Sequence, residues 1–412
     1  MIKFKTYIEE SKNTHMEHLE DNVLNGGVKG ARQSINFLRQ LRDALSGDAR
    51  EAVNATVNWD GAPAIFVGND PSDGKFFVAK KGIFNKNPKV YKTKADVDAD
   101  TSGDLADKLN MALTMLSGMK IDGVVQGDFL FSSSDLKSQN IDGETYVVFH
   151  PNTIAYAVPK KSSLGKKILN SKMGVVWHTM YKGNSFETMR ASFGADVSKF
   201  GNIPGVWQID AGYEDVSGSA TMTKAETAEV TKHLAAAGKT FNKIKATNLN
   251  FIADNDELLA RMKVYHNSRI REGQEIKNPT AHAKGMVQYM MAYEKKELAK
   301  RKTERGKDGF RTKFEPIKKF IANTPIQQIV AIYELQMHLV HTKKLIIDKM
   351  NRASKLKTFL KTRKGFTITG EEGYVAIDKL SGNAVKLVDR LEFSYANFSD
   401  DIIKGWQNDS RR

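Results

Sequence analysis

Hydrophobic positions change their spacing several times along the chain, and each change predicts a different kind of structure. Between residues 12 and 50, Leu19, Val23, Val28, Ile35, Leu38, Leu41 and Leu45 recur at helical spacing, with a break at Gly26-Gly27. The pattern then shortens. Residues 53–67, 75–80, 121–131, 144–149 and 153–158 are brief apolar or alternating runs divided by Gly, Asp, Asn and Pro, which is strand-and-turn texture. Residues 173–179 (MGVVWHT) predict a further buried strand, and 104–118 an amphipathic helix among the strands. From 221 to 363 the spacing is helical again. Thr223 with acids in the following turn is an N-cap signal. Thr324-Pro325 opens a long helix that sets Ile326, Ile329, Val330, Tyr333, Met337, Val340 and Ile347 near one face. Strands return at 366–369, 374–377 and 384–388.

These elements predict an α+β protein in four parts. Residues 1–50 form an N-terminal helical segment and 51–220 the first part of a β-rich core. Residues 221–363 form a helical, basic insertion, and 364–412 complete the core. No internal repeat is visible.

Composition narrows the chemistry. With 40% hydrophobic residues, the 412-residue chain has the apolar content of a packed protein and not of a disordered one. It has no cysteine, which excludes disulfides, zinc–thiolate sites and cysteine nucleophiles and fits a reducing compartment. No apolar run reaches the roughly 18 residues that a membrane helix needs. The start, MIKFKTYIEESKN, carries acids where an export signal would be apolar. The formal net charge of +15 points to a polyanionic partner, nucleic acid first. Two stretches of the insertion concentrate it. Residues 295–313 hold nine Lys/Arg against three acids, and 343–364 hold nine against one. Together they predict a phosphate-backbone track, with a solvated helix face as the plainer alternative.

Several chemistries lack their motifs. The histidines form no spaced metal cluster; His338 and His341 sit three apart on the long helix without a partner pattern. There is no Gly-x-x-x-x-Gly-Lys-Ser/Thr loop, and Ser132-Ser133-Ser134 lacks a nucleophile elbow. What remains is an ordered set at strand edges: Asn58-Trp59-Asp60-Gly61, then Lys80-Lys81-Gly82, Gln126-Gly127-Asp128, Glu371-Glu372-Gly373 and Lys386. If these strands share one sheet system, their acids and lysines converge on one groove. Lysines neutralise phosphate oxygens, and hard carboxylates hold Mg²⁺ directly or through water, so such a groove suits a nucleoside triphosphate.

In this order the set resembles the covalent nucleotidyltransferase superfamily of ATP-dependent DNA ligases, RNA ligases and mRNA capping enzymes, the phage RNA ligases above all. The resemblance covers roughly 53–160 and 365–395, and EEGYVAIDKLSGNAVKLVDR (371–390) is its most specific piece. It implies a ligase-like antiparallel-sheet core that uses ATP and Mg²⁺. It also implies a nucleic-acid partner with a 5′-phosphate end, RNA before DNA, sealed by enzyme adenylation, AMP transfer and ligation. Asp60 would support the nucleophile's neighbourhood and contact the ribose, with Trp59 and Gly61 beside it. Lys81 or Lys80 would lie near the phosphates. Asp128 and Glu372 would bind the metal or its waters, and Lys386 the α-phosphate. Phe149 or Phe129 would stack on the base.

The chain departs from the family at its most important position. The family nucleophile is a lysine, and Asn58 stands there. A carboxamide nitrogen is no nucleophile, because its lone pair is delocalised into the carbonyl. Pro63 replaces a usual arginine, and Val388 a common second lysine. The resemblance therefore implies an impaired first step. The chain is then a variant from which the lysine was removed, a natural member that binds without chemistry, or an enzyme that uses Lys80 or Lys81. Separately, FKTYIEES resembles the leader of proteins packaged in the heads of large tailed phages. That implies the cytoplasm of an infected bacterial host or the phage head itself. It raises the alternative of a head-internal or nucleic-acid-binding protein that keeps the fold without catalysis.

Overall fold

Strand breaks fall where the sequence places Gly, Asp and Pro, and they divide the β-rich part into three sheets. The computed structural model describes residues 18–46, 53–141, 143–212, 221–352, 356–378 and 384–407. In chain order the strands are β1 (Val53–Val57), β2 (Ala64–Asn69), β3 (Phe76–Ala79), β4 (Val124–Ser132), β5 (Lys137–Ile141), β6 (Glu144–Phe149) and β7 (Ile154–Pro159). They continue as β8 (Met173–Lys182), β9 (Arg190–Phe193), β10 (Val206–Asp210), β11 (Lys357–Thr362), β12 (Gly365–Thr369), β13 (Tyr374–Asp378) and β14 (Ala384–Leu387). One sheet has the order β10–β8–β4–β2–β3 with β9 on β8, a second the order β12–β11–β7–β6–β5, and a third the order β1–β13–β14. All pairs are antiparallel except β10 with β8. The mixed α+β class expected from the pattern is what the chain adopts.

The run expected at 53–67 is two strands in two different sheets. β1 pairs with β13, Val57 opposite Tyr374, whereas β2 pairs with β3 and β4. Residues 58–63 cross between the sheets. β4 is central and nearly continuous in apolar residues, as a strand covered on both faces requires. Its register against β8 shifts between Gln126 and Gly127. A Cβ at Gly127 would lie 2.2 Å from the Val176 carbonyl oxygen, so glycine alone fits this irregularity. Bulges of this kind re-aim the next side chain, here Asp128.

The helices pack around Ile326–Asn351, whose Tyr333, Leu335, Leu339 and Ile346 are fully buried. Thr223 caps Lys224–Lys243 in a reciprocal box with Glu226. Glu304–Asn323 turns Phe310, Phe314, Ile317 and Phe320 inward at helical spacing. Fully burying a side chain of this size stabilises by about 1.5–3 kcal/mol. The N-terminal segment expected as a unit of its own shares this core. Leu19, Val23 and Leu38 lie in one apolar cluster with Leu234, Ile332 and Leu339. Tyr374 of β13 and Leu387 of β14 join the same cluster, so the third sheet is the seam between helices and strands. β11 begins at Lys357, inside the stretch read as helical to 363. Its pairing with β7, 200 or more residues earlier, outweighs local pattern.

Candidate functional site

The crossing segment 58–63 is held from both sides by backbone. Val57 N donates to Ala211 O at 2.7 Å and Asn58 N to Gly373 O at 2.8 Å. Ala62 N donates to Phe129 O, and Phe129 N returns to Pro63 O. These bonds seat Asn58 and Asp60 where the three sheets meet.

Asp60 is 5% exposed, and its carboxylate accepts three hydrogen bonds. One oxygen accepts from Asn152 Nδ2 at 2.7 Å, the other from the backbone N–H groups of Thr153 (2.6 Å) and Ile154 (2.7 Å). Its own N–H donates to Tyr156 Oη at 2.8 Å. Burial raises its pKa against the pull of these donors. Asp60 therefore staples the crossing segment to the β6–β7 turn. The three bonds hold both oxygens toward this turn. Gly61 follows for a steric reason: a Cβ there would lie 2.4 Å from Asp128 Cβ.

Asp128 and Glu372 are the remaining acids of the centre. Burial, with the charges of Glu372 and Asp60, pushes Asp128 up to about 8, while Lys81 and Lys386 pull it down. His178 Nε2 lies 3.6 Å from the Asp128 carboxylate. Burial lowers this histidine to about 4, so it faces Asp128 as a neutral ring. Glu372 is pushed up to about 7 by burial and by Asp60, against Lys386, Lys404 and a hydrogen bond from Asn58. That bond runs from Asn58 Nδ2 to Glu372 Oε2. Among the described residues no group of three or more His, Asp or Glu is arranged to hold a metal.

The lysines divide. Lys81, exposed at the start of a short 3₁₀ turn, and Lys386, half-buried on β14 over the Phe393 ring at 5.2 Å, both act on Asp128. Lys80 does not join them. It pairs with Asp100 at 3.0 Å and lies over the Tyr91 ring, in a separate cluster with Lys89. Phe149 is 1% exposed and packs on Tyr156 and Phe131, and Phe129 is fully buried. Neither ring offers a free face to a base. Trp59 is half-buried against Tyr156 at 5.0 Å, and its indole N–H is buried without an acceptor.

Sequence reading missed the turn that holds Asp60 and the cation beneath it. Lys404 Nζ donates to Thr153 Oγ1 at 2.8 Å and lies 3.3 Å from both Asn397 Oδ1 and Ala396 O. Burial lowers its pKa, and Asp60 and Glu372 oppose that. The one local signal was His150-Pro151-Asn152-Thr153, a polar turn between two apolar strands.

The second basic run is divided: Lys343, Lys344, Lys349 and Arg352 are tied to acids of the fold, whereas Arg363 and Lys364 are exposed. Lys343 pairs with Glu20 at 2.6 Å, each side chain 1% exposed. Lys344 bridges Glu275 and Asp389, and Lys349 and Arg352 meet Glu226. These cations join the long helix to the rest of the core. In the first run Lys295, Lys296, Lys302, Arg305 and Lys313 are exposed.

A family model described as a family of unknown function, DUF6267, matches residues 13–401. No curated protein and no solved structure matches the chain. The match spans nearly the whole chain, helices and sheets alike, and the protein belongs to the DUF6267 family.

Proposed function

We propose that the junction of the three sheets is a nucleotide-binding centre of the polynucleotide-ligase type, in which Asn58 impairs the adenylation step. The observation that carries this reading is the gathering of Asp60, Asp128 and Glu372 with Lys81, Lys386 and Lys404 at one point of the fold. In the reaction the resemblance implies, a lysine amine attacks the α-phosphorus of ATP. An N–P bond forms, the bond to the bridging oxygen breaks, and pyrophosphate leaves with that electron pair. Asn58 occupies the attacking position and hydrogen-bonds Glu372 instead. Lys81 and Lys386 supply positive charge toward phosphate oxygens. Asp128 and Glu372, crowded and raised in pKa, fit as two oxygen donors to a Mg²⁺ that keeps most of its water. Bound there, the cation would offset phosphate charge.

Incubation with α-labelled ATP tests the reading on the native chain and on Asn58→Lys. The expected result is no label on the former and an alkali-stable, acid-labile label on the latter, as a P–N bond requires. Absence of label on both, with both folded and both able to bind ATP, removes the ligase reading. Label on the native chain relocates the nucleophile, with Lys81, exposed and acting on Asp128, as the candidate.

A second reading rests on the exposed cations of 295–313. It is a nucleic-acid-binding or phage head-internal protein that keeps the fold without catalysis, with binding that weakens steeply with salt and ignores ATP.

A further inference from the structure

Residues 396–407 lie beyond the stretches that carry the resemblance, yet they close over the Asp60 turn. Gly405 N donates to Asn152 O at 2.6 Å. A Cβ at Gly405 would fall 1.6 Å from the His150 carbonyl oxygen, so the two backbones meet at a distance only glycine permits. The neighbours of this glycine both engage the turn. Lys404 reaches Thr153, and Trp406 Nε1 donates to Asn152 Oδ1 at 3.2 Å. Asn152 passes its other amide function to Asp60. The indole edge of Trp406 is thus fixed two hydrogen bonds from the centre of the site.

Its ring is not covered. Trp406 is 63% exposed, whereas Trp177 is fully buried, Trp207 is 8% exposed and Trp59 packs on Tyr156. An exposed aromatic is unremarkable by itself. An exposed indole whose N–H is tied down has one orientation already chosen, and it loses little entropy on receiving a flat partner. The expected stacking residues, Phe149 and Phe129, are closed off in the core. We propose that Trp406 is the stacking platform for the heteroaromatic base of a nucleotide whose phosphates engage the Lys81 and Lys386 side of the centre. This rests on the nucleotide-binding reading above and names where the base goes.

The test compares ATP with inorganic tripolyphosphate, which carries the charge without a base. Both are titrated calorimetrically into the full chain, into Trp406→Ala and into Trp406→Phe. Stacking on one aromatic is worth roughly a five- to 150-fold gain in affinity. The expected result is that ATP outbinds tripolyphosphate on the native chain by a factor in that range. Trp406→Ala abolishes the difference while tripolyphosphate binding is unchanged, Trp406→Phe keeps most of it, and ATP quenches indole emission in the native chain only. Equal weakening of both ligands by Trp406→Ala would assign the residue to holding Asn152 and overturn the platform. So would tripolyphosphate binding as tightly as ATP to the native chain, which leaves the phosphate centre standing. Failure of both ligands to bind the native chain removes the centre and the platform together.

Discussion

Replacing Asp128 by Asn removes one titrating group from the middle of the site and nearly preserves its shape. Burial, Glu372 and Asp60 raise Asp128 from 3.8 to about 8. Between those values the folded chain keeps a proton that the unfolded chain has released. The contribution is therefore fully present below pH 3.8 and is lost as pH rises through about 8. Within this window native stability falls by up to about 1.4 kcal/mol per pH unit relative to a chain that cannot titrate there. From pH 5 to pH 7.5 the gap widens by about 3 kcal/mol, and by nearer 2 because the side chain keeps 17% exposure to water. Glu372, raised to about 7, has the same sign but is present in both chains, so to first order it cancels from the comparison. Urea unfolding of the native chain and of Asp128→Asn at pH 5, 6, 7 and 8 measures the gap directly. Asp128→Asn should gain on the native chain at each step. A gap that stays constant with pH, or that closes, would mean Asp128 is charged in the folded state at neutral pH. The account of a crowded, poorly solvated carboxylate pair would then be wrong.

Two further predictions separate structural cations from binding ones. Lys343→Met leaves Glu20 buried without its amine and should cost about 3–5 kcal/mol in unfolding free energy, whereas Lys343→Met with Glu20→Leu should recover most of it; a small loss in the single variant would show that Arg390, 3.6 Å away, suffices for Glu20. Replacing Lys295, Lys296, Lys302, Arg305 and Lys313 by Gln should flatten the salt dependence of single-stranded nucleic-acid binding by up to about 0.7 per residue in log–log slope. Lys349→Gln should leave that slope untouched while lowering stability, and an unchanged slope in the multiple variant would remove the track.

Each error of the sequence reading arose where a local pattern had a distant partner. Counting charge along 343–364 was correct as a count, but Lys343 meets an acid 323 residues earlier, and no window on the sequence contains both. Lys80 and Lys81 were interchangeable in the sequence. Tyr91 and Asp100 decide between them, since they draw Lys80 into a separate ion pair. Phe149 had the right residue type at a strand end, but β6 lies inside its sheet with β7 on one side and β5 on the other, and the ring turns into the core. What the sequence did expose were the glycines beside acids. Gly61 and Gly127 are required by close approaches that involve Asp128 and its strand, so an Asp-Gly or Gly-Asp pair at a strand edge was a physical signal and not only a turn signal.

Asn58 is where the two levels meet. Three carboxylates, Asp60, Asp128 and Glu372, share a poorly solvated junction with Lys81, Lys386 and Lys404. Two of those cations also have other contacts: Lys386 lies over Phe393, and Lys404 donates to Thr153. Burial first, and then the neighbouring carboxylates, raise Asp128 and Glu372 further than these cations lower them. A lysine at position 58 would lie against Glu372, the partner Asn58 already has, and its charge would lower that carboxyl's pKa. The carboxamide keeps the hydrogen bond and therefore the shape of the junction. It withholds the charge and, on the proposed ligase-type reading, the nucleophile as well, so under that reading the junction keeps its fold and lacks the group that would react.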